Sequence, residues 1–381
     1  MPRRAHKKSR HGCLECKRRH IKCDEKRPTC TNCTTSERFC EYADIFQGAK
    51  QSRTTASSAS SPATRDQPSE VLSPRPDSLP QDAPANMLHM RLLHHLMTET
   101  RNTLNESFDK AIYSPDILQI CMSTPYLINE LLAISALHMS TLCPAEEGAY
   151  RHHAAQLQTH ALTILNGMKL EVNQETCVPL FIFSGLLNAH LLYNSLLNKD
   201  RDFDPFLDQL VSSFRLHRGI RAITSNSWGM LRESSLRPLI LDGEERFSRM
   251  TGPDPKCAKL LALIEAAKVG PSVTNTYKQA IESLQHAMVA CAYGEQNANI
   301  TEITAWPVLV SPEYIDLLMM RCPEALVVLA YYAACLHMRR DIWGFGDGGR
   351  FLVESIITYL GPDWAEWLDW PIQALGEFTI R

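Results

Sequence analysis

Six cysteines near the start of the chain repeat one spacing twice. Cys13, Cys16, Cys23, Cys30, Cys33 and Cys40 read Cys-x2-Cys-x6-Cys-x6-Cys-x2-Cys-x6-Cys. A Cys-x2-Cys pair lets two thiolates grip one tetrahedral metal from a single turn, which is the usual zinc half-site. Two separate four-thiolate sites need eight ligands and only six are present. Two Zn2+ ions sharing two bridging thiolates meet the count. Every ligand position is a thiolate and none is left open for water or substrate, so such zinc is structural. A disulfide framework would call for an oxidising compartment and a secretory leader, whereas the N-terminus is basic and polar without an apolar middle. RING or LIM arrangements would need histidine ligands or eight cysteines at other spacings.

The element that holds these ligands also carries cations. Lys17, Arg18, Arg19 and Lys22 fall in one helix-length segment between the second and third cysteines, fixed by metal without a sizeable apolar core. A helix of this kind can enter the major groove of double-stranded DNA, where Arg or Lys donates to guanine O6 and N7. The preceding Arg3, Arg4, Lys7, Lys8 and Arg10 have no acidic neighbours and read as phosphate contacts, a nuclear-import signal, or both.

The run Gly12-Cys13-Leu14-Glu15-Cys16-Lys17-Arg18-Arg19-His20-Ile21-Lys22-Cys23-Asp24, followed by Pro28-Thr29-Cys30-Thr31-Asn32-Cys33, resembles the fungal binuclear zinc cluster of transcription factors. That resemblance implies that Cys13 and Cys30 bridge the two ions. Cys16 and Cys23 would complete one zinc, and Cys33 and Cys40 the other, with Pro28 at the turn between the halves. It also implies that Arg19 and His20 lie nearest the bases over a CGG-like triplet, although His20 stands where the family usually has Lys or Arg. A nuclear, sequence-specific regulator of RNA polymerase II genes is the function implied.

Charge divides the chain at the same place. Residues 1–42 hold 12 Lys and Arg against 5 Asp and Glu, and residues 43–381 hold 27 against 37. A small basic head meets a polyanion and a large acidic body does not. Between them, residues 43–85 form the expected linker. Six Pro and eight Ser occur in 44–85, and Phe46 is the only aromatic residue there. Such a segment cannot bury enough surface to offset its ordering entropy. No apolar heptad follows Cys40, so the expectation is a monomer, or a homodimer formed through the body.

Residues 86–381 are expected to be all-α. Met87, Met90, Leu93 and Met97 recur at helical spacing, and further helices are predicted over Tyr126 to Leu142, Tyr150 to Met168, Glu175 to Leu197, Phe206 to Ile220, Lys259 to Ala267 and Thr276 to Tyr293. Pro323 opens another, reaching about Arg340, and Phe351 to Leu360 and Trp364 to Leu375 follow. The most apolar stretch, Val178 to Tyr193, is interrupted by Ser184, Asn188 and His190, so no membrane span is expected. The seven cysteines outside the head (Cys121, Cys143, Cys177, Cys257, Cys291, Cys322 and Cys335) read as buried small hydrophobes.

Leu132 to His138, Leu216 to Arg221 and Trp364 to Pro371 resemble the helical regulatory domain of the same fungal factors, most closely the sterol-uptake-control type. This implies an effector domain that takes an apolar small-molecule ligand, with sterol as the precedent, and two settings: lipid and sterol genes, or a metabolic or secondary-metabolite pathway.

Nothing points to an enzyme. Gly344-Phe345-Gly346-Asp347-Gly348-Gly349 matches G-x-G-x-x-G, but it follows a helix rather than a strand, with no βαβ alternation around it. A glycine-rich loop between helices is the expectation. His94, His95, His138, His152, His153 and His337 form no ligand pattern, Trp364, Trp367 and Trp370 read as core anchors, and no nucleophile elbow occurs.

Overall fold

The computed structural model describes residues 13–19, 21–26, 30–36, 86–103, 114–168, 171–198, 202–224, 227–249, 254–292 and 300–376. The chain divides into two compact units, Met1–Leu79 and Pro80–Arg381. The described residues are helical with no strand, as the sequence predicts. The expected linker, with His20, Pro28 and Cys40, lies outside them.

Among its described residues the first unit holds two five-residue helices, α1 (Leu14–Arg18) and α2 (Thr31–Thr35). Each begins the same way. Cys13 and Cys30 stand in extended backbone at the N-caps, with φ and ψ of −60° and 156°, and −72° and 150°. The sequence duplication is therefore also a duplication of local structure. Helices this short do not persist on propensity alone. Among the described residues here, the buried apolar side chains are Cys13, Cys16, Cys23, Cys30 and Cys33.

The second unit begins with α3 (Met87–His95), capped by the Asn86 side chain and continued by a π-helical turn, Leu96–Thr100, and a short 3-10 turn, Arg101–Thr103. Then follow α4 (Pro115–Ser123), α5 (Pro125–Leu142), α6 (Glu147–Gly167), α7 (Cys177–Leu196), α8 (Phe203–Thr224), α9 (Trp228–Arg232), α10 (Arg237–Arg249), α11 (Pro255–Ala266) and α12 (Pro271–Ala292). The remainder comprises α13 (Ile300–Leu309), α14 (Pro312–Met319), α15 (Pro323–Met338), α16 (Gly348–Leu360) and α17 (Asp369–Gly376). Proline opens α4, α5, α11, α14 and α15, where its missing N–H would have no partner in any case.

Two apolar cores form. The larger surrounds α15, whose residues from Ala325 to His337 are all buried, as expected of a helix apolar on every side. The smaller gathers Ile117 of α4, Tyr126, Leu127 and Leu131 of α5, Val178, Leu180, Ile182, Phe183, Leu186 and Leu187 of α7, and Leu231, Leu236 and Ile240. Helices α5 and α7 belong to both: Leu137 and Leu196 lie in the larger core, Leu127 and Phe183 in the smaller.

One sequence expectation is corrected and two gain a physical reason. The C-terminal helix predicted from Trp364 divides into a 3-10 turn, Pro362–Trp364, and α17, because Pro371 lacks an N–H to carry an unbroken ladder. The glycine-rich segment is a close-packed turn. A Cβ on Gly344 would sit 2.3 Å from the Tyr193 ring, and one on Gly349 only 2.5 Å from the backbone nitrogen of His337. Those glycines let the turn and the start of α16 approach α7 and α15. Finally, α7 is long and apolar enough to cross a bilayer by length and composition, with a mean hydropathy of 1.3, yet 67% of that window is buried inside the protein. It carries His190, bonded to Glu130 at 3.1 Å, and Asn188, bonded to the Thr304 carbonyl at 2.9 Å. These bonds and the burial make α7 a helix of the core in this fold.

Candidate metal centre and nucleic-acid interface

The reactive atoms of the head are sulfurs held at metal-binding distances. The Sγ atoms of Cys13, Cys16, Cys23 and Cys30 all lie within 4.8 Å of one another. Cys16 and Cys30 are 3.6 Å apart, Cys13 and Cys30 3.7 Å, and Cys13 and Cys33 3.7 Å. A zinc tetrahedron with Zn–S bonds of about 2.3 Å has sulfur–sulfur edges of about 3.8 Å. A disulfide would draw two sulfurs to about 2.0 Å. The spacing therefore fits thiolates around zinc. Cys13 of the first half-site lies beside Cys33 of the second, and Cys30 of the second beside Cys16 of the first.

The backbone supports the sulfurs as acceptors. The N–H groups of Cys16, Cys13 and Glu25 point at Cys13 Sγ, Cys23 Sγ and Cys23 Sγ, each at 3.4 Å. Glu25 adopts φ 59°, a left-handed conformation that few side-chain-bearing residues take, and it turns that N–H toward the sulfur. Burial, together with the neighbouring Cys13 and Cys30 sulfurs, pushes the Cys16 thiol well above its ordinary value. A bound divalent cation reverses that balance and holds the group as thiolate.

The side chains of Asp24, Asn32 and Arg19 join the halves. The Asp24 carboxylate accepts from the Thr31 N–H at 3.1 Å and from its hydroxyl at 2.5 Å, tying the chain after Cys23 to the start of α2. Asn32 Nδ2 donates to the Lys22 carbonyl at 2.8 Å, and Arg19 Nη1 donates to Ser36 Oγ at 3.1 Å. Sequence reasoning passed over Asp24, Asn32 and Ser36. Their signal is faint: an acid immediately after the third ligand, and small polar residues around the fifth.

The cations are placed less uniformly than the sequence suggests. Lys17 and Arg18 lie on α1, Arg19 is its C-cap, and Lys22 follows in non-helical chain. All four are exposed. Arg18 pairs with Glu15 at 2.8 Å. The basic segment is thus a short helix and its continuation, because the ladder ends at Arg19 as the chain turns to bring Cys23 to the cluster.

In the body, the seven cysteines stand as free thiols, buried or half-buried. Burial raises Cys121 to about 11 and Cys257 to about 12, values suited to packing rather than to nucleophilic work. His95 and His138 meet at 3.2 Å, yet among the described residues only the head brings together three or more groups at metal-ligating distance. The tryptophans anchor as expected: Trp370 packs against Tyr331 and Trp364 against Trp367.

Comparison with known proteins agrees with this geometry. Residues 11–49 match the fungal Zn(2)-Cys(6) binuclear cluster domain. A Zn(2)-C6 fungal-type transcription factor of Gibberella zeae is 25% identical, covering 98% of this chain and 86% of that protein. The Zn(2)-C6 fungal-type transcription factor afumD of Aspergillus fumigatus is 28% identical over 86% of this chain and 84% of its own length. Sterol uptake control protein 2 of Candida albicans is 55% identical over 40 residues, which is 10% of this chain and 6% of that protein. That alignment has the length of a cluster module, whereas the first two run through the body. Sulfur geometry, exposed cations and these likenesses together make the head a fungal Zn(2)-Cys(6) binuclear cluster domain with two structural zinc ions, and the chain a DNA-binding transcription regulator.

Proposed function

We propose that this chain is a nuclear, sequence-specific regulator of RNA polymerase II genes serving one metabolic or secondary-metabolite pathway. The observation that carries the reading is the sulfur cluster with Lys17, Arg18, Arg19 and Lys22 exposed on the segment it fixes. In this reading Cys13, Cys16, Cys23 and Cys30 hold one zinc, and Cys13, Cys30, Cys33 and Cys40 the other. Arg19 and His20 meet the bases of a CGG-like triplet, and Lys17, Arg18 and Lys22 meet phosphate or the groove edge. Residues 1–42 are the DNA-binding domain, 43–85 the linker and 86–381 the regulatory domain, acting as monomer or homodimer without enzymatic activity. The two relatives that run through the body are named Zn(2)-C6 fungal-type transcription factors, which supports the reading of a transcription regulator.

The test is selection of bound sequences from a randomised duplex by the full zinc-loaded chain. Enrichment of a CGG-containing motif is expected. Arg19→Ala should then weaken binding to the selected site by about 1–3 kcal/mol, with a much smaller loss on random DNA. An equal loss on both would make Arg19 a phosphate contact, and no enrichment would remove sequence specificity from the reading.

The alternative is a receptor for sterol or another apolar metabolite that controls lipid and sterol genes. It draws support from the second unit, which holds an apolar cavity.

A further inference from the structure

The cavity lies where the two cores of the body meet. Its volume is about 250 Å³. Gly185, Ala189 and Tyr193 of α7, Ala305 and Val308 of α13, and Trp343 line it. Ala189 and Trp343 pack against both cores. Gly185 and Thr301 are exposed and Ala189, Ala305, Val308 and Trp343 half-buried, so the hollow is a half-open cleft with apolar walls.

Its walls are held in place from behind. Trp343 stacks on His138 with ring centroids 4.6 Å apart and donates from Nε1 to Thr103 Oγ1 at 3.0 Å. His138 in turn meets Thr100 Oγ1 at 3.0 Å and His95 at 3.2 Å. The π-helical turn Leu96–Thr100 brings Thr100 to the wall, and π-turns inside helices recur at functional sites. Asn188 closes one edge by bonding α7 to the Thr304 carbonyl of α13 at 2.9 Å.

The chemistry of the lining limits what enters. Aliphatic and aromatic carbon dominates, and none of the described residues that line the cavity is acidic or basic. An ionised ligand would lose its hydration with no opposite charge to offset the loss. Size limits it as well, since the volume falls short of the roughly 300–1,000 Å³ of sites for drug-sized molecules. A rigid four-ring sterol is too large to be enclosed.

We propose that this seam is a binding site for a small, uncharged, predominantly apolar metabolite, on the scale of a ten-carbon isoprenoid alcohol or a single substituted ring. The inference rests on reading 86–381 as a regulatory domain, and it specifies where the effector sits and what class it belongs to.

Gly185 provides the test. A Cβ there meets nothing within 4 Å, so a larger side chain has room, and replacing a helical glycine favours the helix. Equilibrium dialysis of the full zinc-loaded chain against geraniol and against geranic acid at pH 7.5 reads the affinity. Saturable geraniol binding is expected, with geranic acid at least tenfold weaker. Gly185→Phe should weaken geraniol binding at least tenfold without changing the melting temperature. Val308→Trp, from the opposite wall, should do the same and covers the case in which the first variant fails to fold. Absent geraniol binding, equal binding of the acid, or indifference to both variants overturns the proposal. Cholesterol binding more tightly than geraniol in a Gly185→Phe-sensitive way overturns the size assignment. DNA binding by the same preparation is measured in parallel, so loss of the ligand reading leaves the DNA reading separately decided.

Discussion

The two units solve the same problem with opposite means. Among the described residues of the head the buried apolar side chains are five cysteines, too few to order those residues by apolar burial. In the body, α15 alone buries every residue from Ala325 to His337, and Trp306 packs among Tyr332, Phe214 and Tyr314. A metal replaces a core in the first, and close packing makes a metal unnecessary in the second. The difference predicts that the units fail under different insults.

Chelation should separate them most sharply. Structural zinc contributes on the order of 10–16 kcal/mol to small metallo-domains. Stripping it at neutral pH should abolish DNA binding and unfold the head, while far-ultraviolet circular dichroism of the body barely changes. A large loss of body helicity on chelation would break the comparison.

A cavity in the larger core is the converse insult. Trp306 stacks on Tyr332 at 4.4 Å and donates to the Ala280 carbonyl at 3.0 Å. Trp306→Ala should cost the body about 3–5 kcal/mol, read by denaturant melts, with zinc content unchanged.

Acid acts on both units, and in the body its sign follows from His138. Burial lowers this imidazole from its ordinary 6.5 to about 4, with the nearby His95 adding to the shift. The folded state keeps it neutral while the unfolded chain takes up a proton. Stability is therefore full above pH 6.5 and falls as the pH drops from 6.5 towards 4, by up to about 3 kcal/mol. His138→Gln should flatten the pH dependence of the melting temperature in that window.

Gly349→Ala sets a new methyl 2.5 Å from the His337 nitrogen and 2.6 Å from the Ala333 carbonyl, so α15 and α16 must part. A loss of about 1–3 kcal/mol in the same melts is expected. The smallest effect belongs to the head: Asp24→Ala removes the bonds to Thr31 and should weaken zinc retention against a competing chelator by about tenfold.

Legibility followed the same division. The head's metal chemistry could be read from spacing, because tetrahedral coordination by thiolates imposes a pattern on the chain itself. The body's helical class and most of its long helices were legible from apolar periodicity. Helices α4, α9, α10, α13 and α14 were not anticipated. Pro115 and Pro312 mark the N-termini of α4 and α14 as plainly as Pro323 marks α15, whereas Pro307 inside α13 disguises that helix. The glycine run was recognisable as a loop, but the reason for its glycines was not, since Tyr193 and His337 reach them only through tertiary packing. The cavity was invisible for the same reason. It depends on small residues of α7 and α13 facing one another from more than a hundred positions apart.

The most direct test of the account is the number of zinc ions per chain, measured by mass-spectrometric metal analysis on the intact protein and on Cys30→Ala. Shared ligands predict two ions in the first and loss of both from the second, together with DNA binding. One zinc per intact chain, or one retained with specific DNA binding in Cys30→Ala, would contradict the bridged cluster on which the reading of the head depends.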